Sequence, residues 1–403
     1  IAALFRRLDG HIAGAAVLRR EMHADPRLSG QEHDTMMALA AALEMSVEPL
    51  DTGGAVLRIG GRDGPAVGLR AELDALPVDE KTNVAWRSAN GAMHACGHDV
   101  HMAAAVAVAR TLQDEGAPVP LVLVLQPREE TLPSGAKDIA LSPEFTDHDI
   151  RAFLGVHVQP RLRQGHFAAT PGPVNAAADQ FTIDVNGRPG HAAYPHLTAD
   201  PVVTAADLIG TLQHLISRQV DPTNPTVLTI GSITGGNSPN VVPAAVRMTG
   251  ILRTFDEHDR VRLHGAIETT AKAIAEVHGC DAKVAVSLGA PVLVNEATLT
   301  AAAATWIERA GLVHAPPLRS CGADDFSYYC PMFPSLMVFV GVGSGGPDEP
   351  GLHHPNFLPP DETVGEVARA MLAGYLGACS TVIELPAAGE VPVPGMGTSA
   401  LQP

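Results

Sequence analysis

Four short apolar segments of strand length lie in the first part of the chain, and a helical segment separates the second from the third. Strands are predicted at Ala55–Ile59, Ala66–Leu73, Leu121–Leu125 and Ala152–Val158, and a helix rich in Ala and Val at about 99–112. Leu121–Leu125 is continuously apolar, which is typical of a strand that is buried on both faces. This alternation predicts an α/β fold with a mostly parallel central sheet that is covered by helices on both sides.

The strand pattern changes near residue 179. Phe181, Ile183 and Val185 alternate with polar neighbours, as in a strand with one exposed face. The predicted elements from there to about residue 288 follow the order β-α-β-β-α-β, which is the ferredoxin-like arrangement. After Pro291 the alternation of helices and strands resumes.

These two patterns predict the domain organisation. A large domain takes residues 1–177 and 291–386, and a smaller α+β domain is inserted at 178–290. Residues 387–403 are rich in Pro, Gly and Ala and are predicted to be a disordered tail.

The composition excludes several classes of function. A formal net charge of -17 argues against nucleic acid as a partner and against adsorption to anionic membranes, because both require a basic surface. No charged segment followed by a continuous apolar stretch opens the sequence, so no signal peptide is expected. The five cysteines are widely spaced, which predicts free thiols in a reducing, cytoplasmic setting.

The densest group of reactive side chains is Met93–His101, which contains three His and one Cys at the start of the predicted helix. Thiolate and imidazole are good ligands for divalent metal ions. Gly97 permits a tight turn between Cys96 and His98, and Asp99 is expected to cap the helix. A buried Cys in a polar loop would give the same local pattern.

Further donors follow the apolar strands. Glu129 and Glu130 come just after Leu121–Leu125, His157 lies at the end of another strand, and His353 lies in a late loop. Each alone is also typical of a solvated loop or a structural His. Because the carboxyl ends of parallel strands meet at one edge of a sheet, their coincidence indicates a single metal site.

Nine segments carry a family resemblance, and they occur in the family's order over about residues 15–385. They are Leu69–Pro77, Met93–His101, Gln126–Glu130, Gly155–Pro160, Gly190–His196, Asn240–Pro243, Arg253–Phe255, Asp324–Ser327 and Leu352–Phe357. The chain resembles the metal-dependent amidohydrolase family of aminoacylase, hippurate hydrolase and indoleacetyl-amino-acid hydrolases, within the dinuclear metallopeptidases. One departure is Glu72, where the hydrolase subgroup usually carries Asp.

The resemblance implies a role for each matching residue. The implied ligands of two divalent metal ions, Zn²⁺ or Mn²⁺, are Cys96, His98, Glu130, His157 and His353. Glu129 would be the general acid/base, and Asp74 would support the ligands. His191 would contact the oxyanion, reaching in from a partner subunit, and Asn240 and Arg253 would contact the substrate. The inserted domain would then serve as a lid and dimerisation domain of a homodimer or higher homo-oligomer.

The resemblance implies hydrolysis of the amide bond of small N-acyl amino acids with aromatic or aliphatic acyl groups. Alternatives with the same chemistry are a dipeptidase, a carboxypeptidase and an N-acetyl-diamino-acid deacetylase. A hydrolase with Cys96 as nucleophile and His98 as base is a further alternative. A metal-binding protein without catalysis is the remaining one.

Overall fold

A computed structural model of the protein describes residues 1–346 and 349–383, and the predicted disordered tail at 387–403 lies outside them. The chain forms two compact units. The first takes Ile1–Gly172, Val294–Leu318 and the chain from Tyr328 onward, and the second takes Pro173–Leu293 and Arg319–Ser327.

The described residues form nine α-helices and fifteen strands. The helices are α1 Ala2–Ala24, α2 His33–Ala42, α3 His98–Glu115, α4 Gly135–Ala140, α5 Pro143–Thr146, α6 Pro201–Gln219, α7 Glu257–Val277, α8 Ala297–Arg309 and α9 Glu362–Val382. The strands are β1 Ala55–Ile59, β2 Ala66–Glu72, β3 Leu121–Gln126, β4 Ile150–Arg163, β5 His166–Ala168, β6 Gly172–Asn175, β7 Ala177–Asn186, β8 Gly190–His191, β9 Thr226–Gly235, β10 Val241–Val242, β11 Ala245–Thr254, β12 Asp281–Ser287, β13 Leu293–Asn295, β14 Val313–His314 and β15 Ser335–Gly343. Within the described residues, no helix has both the length and the apolar character that crossing a membrane requires.

The first unit is built around a seven-stranded sheet with the order β1-β3-β2-β4-β15-β5-β14. The central strands β3, β2, β4 and β15 are parallel, whereas β1 pairs antiparallel with β3 and β5 antiparallel with β15. Every residue of β2, β3 and β15 is buried, so both faces of these strands are covered. The predicted α/β fold with a large sheet is therefore confirmed, and antiparallel pairs near its margins make the sheet mixed.

The second unit is a four-stranded antiparallel sheet with the order β12-β7-β11-β9. Residues of β7 alternate between buried and more exposed positions, because one face of the sheet packs under α6 and α7. Phe181, Ile183 and Val185 point to this core together with Leu208 and Leu263 of the two helices.

A buried ion pair ties the sheet of the second unit to α7. Arg260 donates from Nε and Nη2 to Asp179 at 2.7 and 2.6 Å, and His264 and the amide of Gly289 also bind this carboxylate. Burial opposes ionisation, but the bonds from Arg260, Gly289 and His264 hold the pKa of Asp179 below its usual value. Removal of Arg260 would leave the buried Asp179 carboxylate with only His264 and the amide of Gly289 as partners.

We expect Arg260→Met to destabilise the second unit by about 3–5 kcal/mol, because the buried Asp179 carboxylate loses its guanidinium partner. The measurement is hydrogen exchange of the amides in β7 and α7. Arg247→Met is the matched control, since Arg247 binds Asp184 with similar geometry on the exposed side of the sheet. It should leave exchange nearly unchanged; equal effects of both substitutions would contradict the prediction.

Candidate functional site

Most of the chemically reactive residues indicated by the sequence lie in the first unit, near the ends of its parallel strands. Asp74 follows β2, and Glu129 and Glu130 follow β3. His157 lies on β4, and Cys96 immediately precedes the turn into α3. The topology of the sheet therefore brings together side chains that are far apart along the chain.

Their donor atoms form overlapping groups in which all atoms lie within 4.8 Å of one another. These groups are Cys96–His98–His157, Cys96–Glu130–His353 and His98–Glu129–Glu130. All five residues indicated as metal ligands, and the acid beside them, thus belong to one cluster. One thiol, three imidazoles and carboxylate oxygens are a donor set that suits Zn²⁺ and also Mn²⁺.

Main-chain carbonyl groups orient two of the imidazole rings. His98 donates from Nδ1 to the carbonyl oxygen of Asp74 at 2.8 Å, and His157 donates from Nδ1 to that of Val158 at 2.7 Å. In both rings Nε2 is left to face the cluster, and His157 Nε2 lies 3.4 Å from the sulfur of Cys96. Such bonds behind a ligand fix its tautomer and its direction.

Asp74 also holds the acidic loop in place. Its Oδ2 accepts hydrogen bonds from the Ser29 hydroxyl at 2.7 Å and from the main-chain amide of Glu130 at 2.9 Å. One buried residue thus contacts both His98 and the segment that carries Glu129 and Glu130. These are contacts that a residue supporting the site would make.

His353 reaches the cluster through an unusual main-chain conformation. Its φ of 65° lies in the left-handed region, and its amide donates to the carbonyl of Ala95 at 2.8 Å. The ring places Nε2 3.2 Å from Glu130 Oε1, with about half of the side chain exposed. His353 therefore lies at the solvent-exposed side of the cluster.

The turn before α3 requires a glycine. Gly97 has φ 84°, and a Cβ atom there would lie 2.5 Å from Cγ2 of Val158. Any side chain at this position would combine backbone strain with a steric clash. Gly97 separates Cys96 from His98. Because Gly97 has no side chain, the main chain can lie close to Val158, and both Cys96 and His98 can face His157.

The negative charges of the cluster favour the protonated forms of two of its side chains, His98 and Cys96. Burial alone would lower the pKa of His98, but its hydrogen bond to Asp74 and the charges of Glu72, Asp74 and Glu130 raise it to about 10. Burial, together with the charges of Glu130 and Glu129, raises the pKa of the Cys96 thiol well above its usual value. Among the described residues, His98 Nε2 has no hydrogen-bond partner. A buried, unpaired nitrogen in an anionic cluster is the arrangement that a bound cation would satisfy.

His101 lies next to the cluster and is held by two hydrogen bonds. It donates from Nδ1 to Glu72 Oε2 at 3.2 Å, and its Nε2 accepts from the amide of Val158 at 3.0 Å. The other oxygen of Glu72 accepts from Arg70 at 2.5 Å. Glu72 therefore bridges Arg70 and His101 in the buried layer beneath the site.

The prediction that Asp99 caps α3 is wrong. The helix begins at His98 without a side-chain cap, and Asp99 instead accepts hydrogen bonds from Arg19 at 2.8 Å and from His23 at 2.9 Å. All three side chains are buried. Asp99 thus ties α3 to α1. Asp324, in contrast, caps the short 3₁₀ helix Asp325–Tyr328, because its Oδ1 accepts from the amide of Phe326 at 2.8 Å.

The remaining indicated residues, His191, Asn240 and Arg253, lie in the second unit. Pairing of β8 with β10 sets His191 opposite Val241, and the amide of Ala192 donates to the carbonyl of Asn240 at 3.0 Å. The Nδ1 atom of His191 accepts from the amide of Ala193 at 3.1 Å, so Nε2 carries the proton in the neutral ring. Arg253 lies half-buried on β11, where burial lowers the pKa of its guanidinium.

Sequence reasoning missed Glu32, a buried acid that contacts the loop of Glu129. Its carboxylate accepts a hydrogen bond from the amide of Arg128 at 2.8 Å. In the sequence Glu32 is one acid in a polar stretch between two helices. An acid placed where a surface loop is expected gives no local sign of burial.

The chain is similar to known proteins in its family pattern, in its sequence and in its structure. Residues 68–376 match the model of peptidase family M20/M25/M40. The chain is 34% identical to N-acetyl-L-cysteine deacetylase of Bacillus subtilis over 348 residues, covering 84% of this chain and 82% of the relative. It is 32% identical to N-acetyldiaminopimelate deacetylase of Bacillus pumilus over 366 residues, covering 89% and 96%.

Among solved structures, the chain is similar to a dinuclear metal-binding peptidase from the M20 family of Bacillus subtilis. The two are 28% identical and superpose with a TM-score of 0.79, covering 92% of this chain and 99% of the other. The likeness thus extends through both units of the chain.

Proposed function

The chain belongs to peptidase family M20/M25/M40, and from this membership we propose that it is a metal-dependent amidohydrolase acting on N-acyl amino acids. One observation carries the proposal. Five potential ligands from separate parts of the chain converge on one cluster, with the carboxylate of Glu129 beside it. Glu129 Oε2 lies 4.0 Å from His98 Nε2, and its side chain is 11% exposed, so it can exchange protons with water.

The residues that would hold two divalent ions are Cys96, His98, Glu130, His157 and His353. Bound cations of this kind polarise a carbonyl group and lower the pKa of water. Glu129 accepts the proton of the attacking water and then delivers it to the nitrogen of the leaving amine, as general base and then general acid. Asp74 keeps His98 and the amide of Glu130 in place during both proton transfers.

Residues of the second unit recognise the substrate in this proposal. His191 reaches in from a partner subunit and donates from Nε2 to the oxyanion that forms on the amide carbonyl, which suits the tautomer set by the amide of Ala193. Arg253 binds the substrate carboxylate, because a guanidinium can hold both of its oxygens. Asn240 contributes a further polar contact to the bound substrate.

We assign residues 178–290 as a lid and dimerisation domain, and residues 1–177 and 291–386 as the catalytic domain. Support comes from the edge strand β9, on which Ile233 is 54% exposed. An exposed edge strand has main-chain N–H and C=O groups that a second copy can pair with, and a homodimer would cover both these groups and Ile233. Free cysteines fit a cytoplasmic enzyme.

Acetylated amino acids are the favoured substrates. Two of the most similar relatives carry names of deacetylases that act on N-acetylcysteine and N-acetyldiaminopimelate. These names favour a small acyl group over the benzoyl group of hippurate, within the same amide chemistry. The names of those two relatives differ in the amino acid that carries the acetyl group, which is cysteine in one and diaminopimelate in the other.

The rival with Cys96 as nucleophile is disfavoured by the environment of that thiol. Burial and the charges of Glu130 and Glu129 raise the pKa of Cys96. A cysteine nucleophile needs a lowered pKa, because the thiolate is the reactive form. The neighbouring acids instead suit a thiol that ionises when it binds a cation.

The test is a panel of N-acetyl amino acids, N-benzoyl amino acids and dipeptides, assayed with EDTA and after Zn²⁺ or Mn²⁺ is restored. We expect N-acetyl amino acids to be cleaved fastest, activity to disappear with EDTA, and metal to restore it. Activity that survives EDTA and is lost on thiol alkylation would favour the cysteine mechanism. Substrate binding without turnover at full metal content would show a binding protein.

A further inference from the structure

We propose that Glu32 is a positioning residue that fixes the main chain before Glu129 and so aims the general acid/base. The inference rests on the proposed function, in which Glu129 transfers the proton. Glu32 lies at the start of α2 and is 5% exposed. Its Oε1 accepts the hydrogen bond of the Arg128 amide, which lies 96 residues further along the chain.

Arg128 adopts a conformation that needs such support. Its φ of 53° lies in the left-handed region, which costs a residue with a side chain roughly 1–2 kcal/mol. Its guanidinium donates to Asp138 at 2.6 Å and to the carbonyl of Thr52 at 2.9 Å, and its own carbonyl accepts from the amide of Gly135 at 3.1 Å. Arg128 is thus held through its amide, its carbonyl and its side chain.

Glu129 therefore lies between two anchored amides. The amide of Arg128, on one side, binds Glu32, and the amide of Glu130, on the other, binds Asp74. Both acceptors are buried carboxylates. Because the main chain is fixed on each side of Glu129, only the rotations of its own side chain remain to be set.

Burial disfavours the ionised form of Glu32. Burial raises the pKa of Glu32, although hydrogen bonds from the amides of Gly30 and Arg128 oppose this effect. Among the described residues no cationic side chain forms an ion pair with it. A buried acid that receives only main-chain amides is suited to fixing the course of a loop.

The first experiment measures kcat, KM and metal content of Glu32→Ala and Glu32→Gln. We expect Glu32→Ala to lower kcat about ten- to a hundredfold, because a displacement of about 1 Å of a catalytic group has an effect of that size. KM and metal content should stay unchanged. Glu32→Gln retains an acceptor oxygen and should restore most of kcat.

Glu366→Ala is the matched control. Glu366 is also a partly buried acid whose pKa is raised by burial, and it accepts from the amide of Gly165 at 3.2 Å. That turn carries none of the proposed site residues, so kcat should remain close to the wild-type value. An equal loss of kcat in both variants would overturn the positioning role.

A double variant separates positioning from a general loss of structure. If Glu32 acts through Glu129, Glu32→Ala should have almost no further effect on kcat in the Glu129→Gln enzyme. Additive losses, a fall in metal content or a wild-type kcat in Glu32→Ala would each overturn the inference. Wild-type turnover by the Glu129→Gln enzyme would instead refute the proposed role of Glu129 as general acid/base, so the two failures are distinguishable.

Discussion

Replacement of Glu129 by Gln is expected to lower kcat by about 10²–10⁴-fold, because the amide cannot accept a proton from water or return one to the leaving amine. The side chain keeps its size, and its neighbours Arg128 and Glu130 keep their main-chain contacts with Glu32 and Asp74. Metal content should therefore match that of the wild type. Steady-state kinetics on an N-acetyl amino acid and metal analysis of the same preparation provide the measurement.

Glu130→Gln is the matched control for this prediction, because it changes the adjacent acid in the same way. An oxygen of Glu130 lies 3.2 Å from His353 Nε2 and within 4.8 Å of the sulfur of Cys96. Its substitution should weaken metal binding, and excess metal should restore part of the activity. Excess metal should not restore activity to Glu129→Gln. Equal turnover by wild type and Glu129→Gln would refute Glu129 as the general acid/base.

Local patterns were sufficient to predict the main elements of the fold. Leu121–Leu125 was predicted as a strand, and β3 extends from Leu121 to Gln126. The predicted strand at Ala152–Val158 is longer in the structure, where β4 continues to Arg163. Its last residues alternate between half-buried and exposed positions, so they carry little of the apolar signal that marks the rest of the strand.

The shortest strands have no apolar pattern in the sequence from which they could be predicted. β5 and β14 have three and two residues, which is too few for any periodicity. Both strands exist because of pairing with distant parts of the chain, β5 with β15 and β14 with β5. Pairing of this kind depends on tertiary structure, and a local pattern cannot reveal it.

The family was predictable because nine motifs occur in order, and the match to peptidase family M20/M25/M40 confirms it. The supporting residues were harder to predict. Asp99 has the residue type and position of a helix cap, yet its partner Arg19 lies 80 residues away. Glu32 and Arg128 depend on a similarly distant contact. The chemistry of a ligand is visible in its residue type, whereas a supporting contact is defined only by the fold.

The affinity for divalent cations is expected to rise steeply with pH. In the cation-free protein Cys96 and His98 are both protonated near neutral pH, because the pKa of the thiol is raised and that of His98 is about 10. Binding a cation requires a thiolate and a neutral imidazole, so both protons must leave. Since a lower pH favours the protonated, cation-free state, cation affinity must increase as the pH rises.

Each released proton contributes about a tenfold change in affinity per pH unit, so two protons give about a hundredfold change per pH unit between about pH 7 and 9. Calorimetric titration with Mn²⁺ in two buffers of different ionisation enthalpy counts the protons directly. Cys96→Ala should reduce the slope to about tenfold per pH unit. Cys280→Ala, in the second unit, should leave it unchanged. An affinity independent of pH would show that the ligands are already ionised before the cation binds, contrary to the anionic environment that surrounds Cys96 and His98.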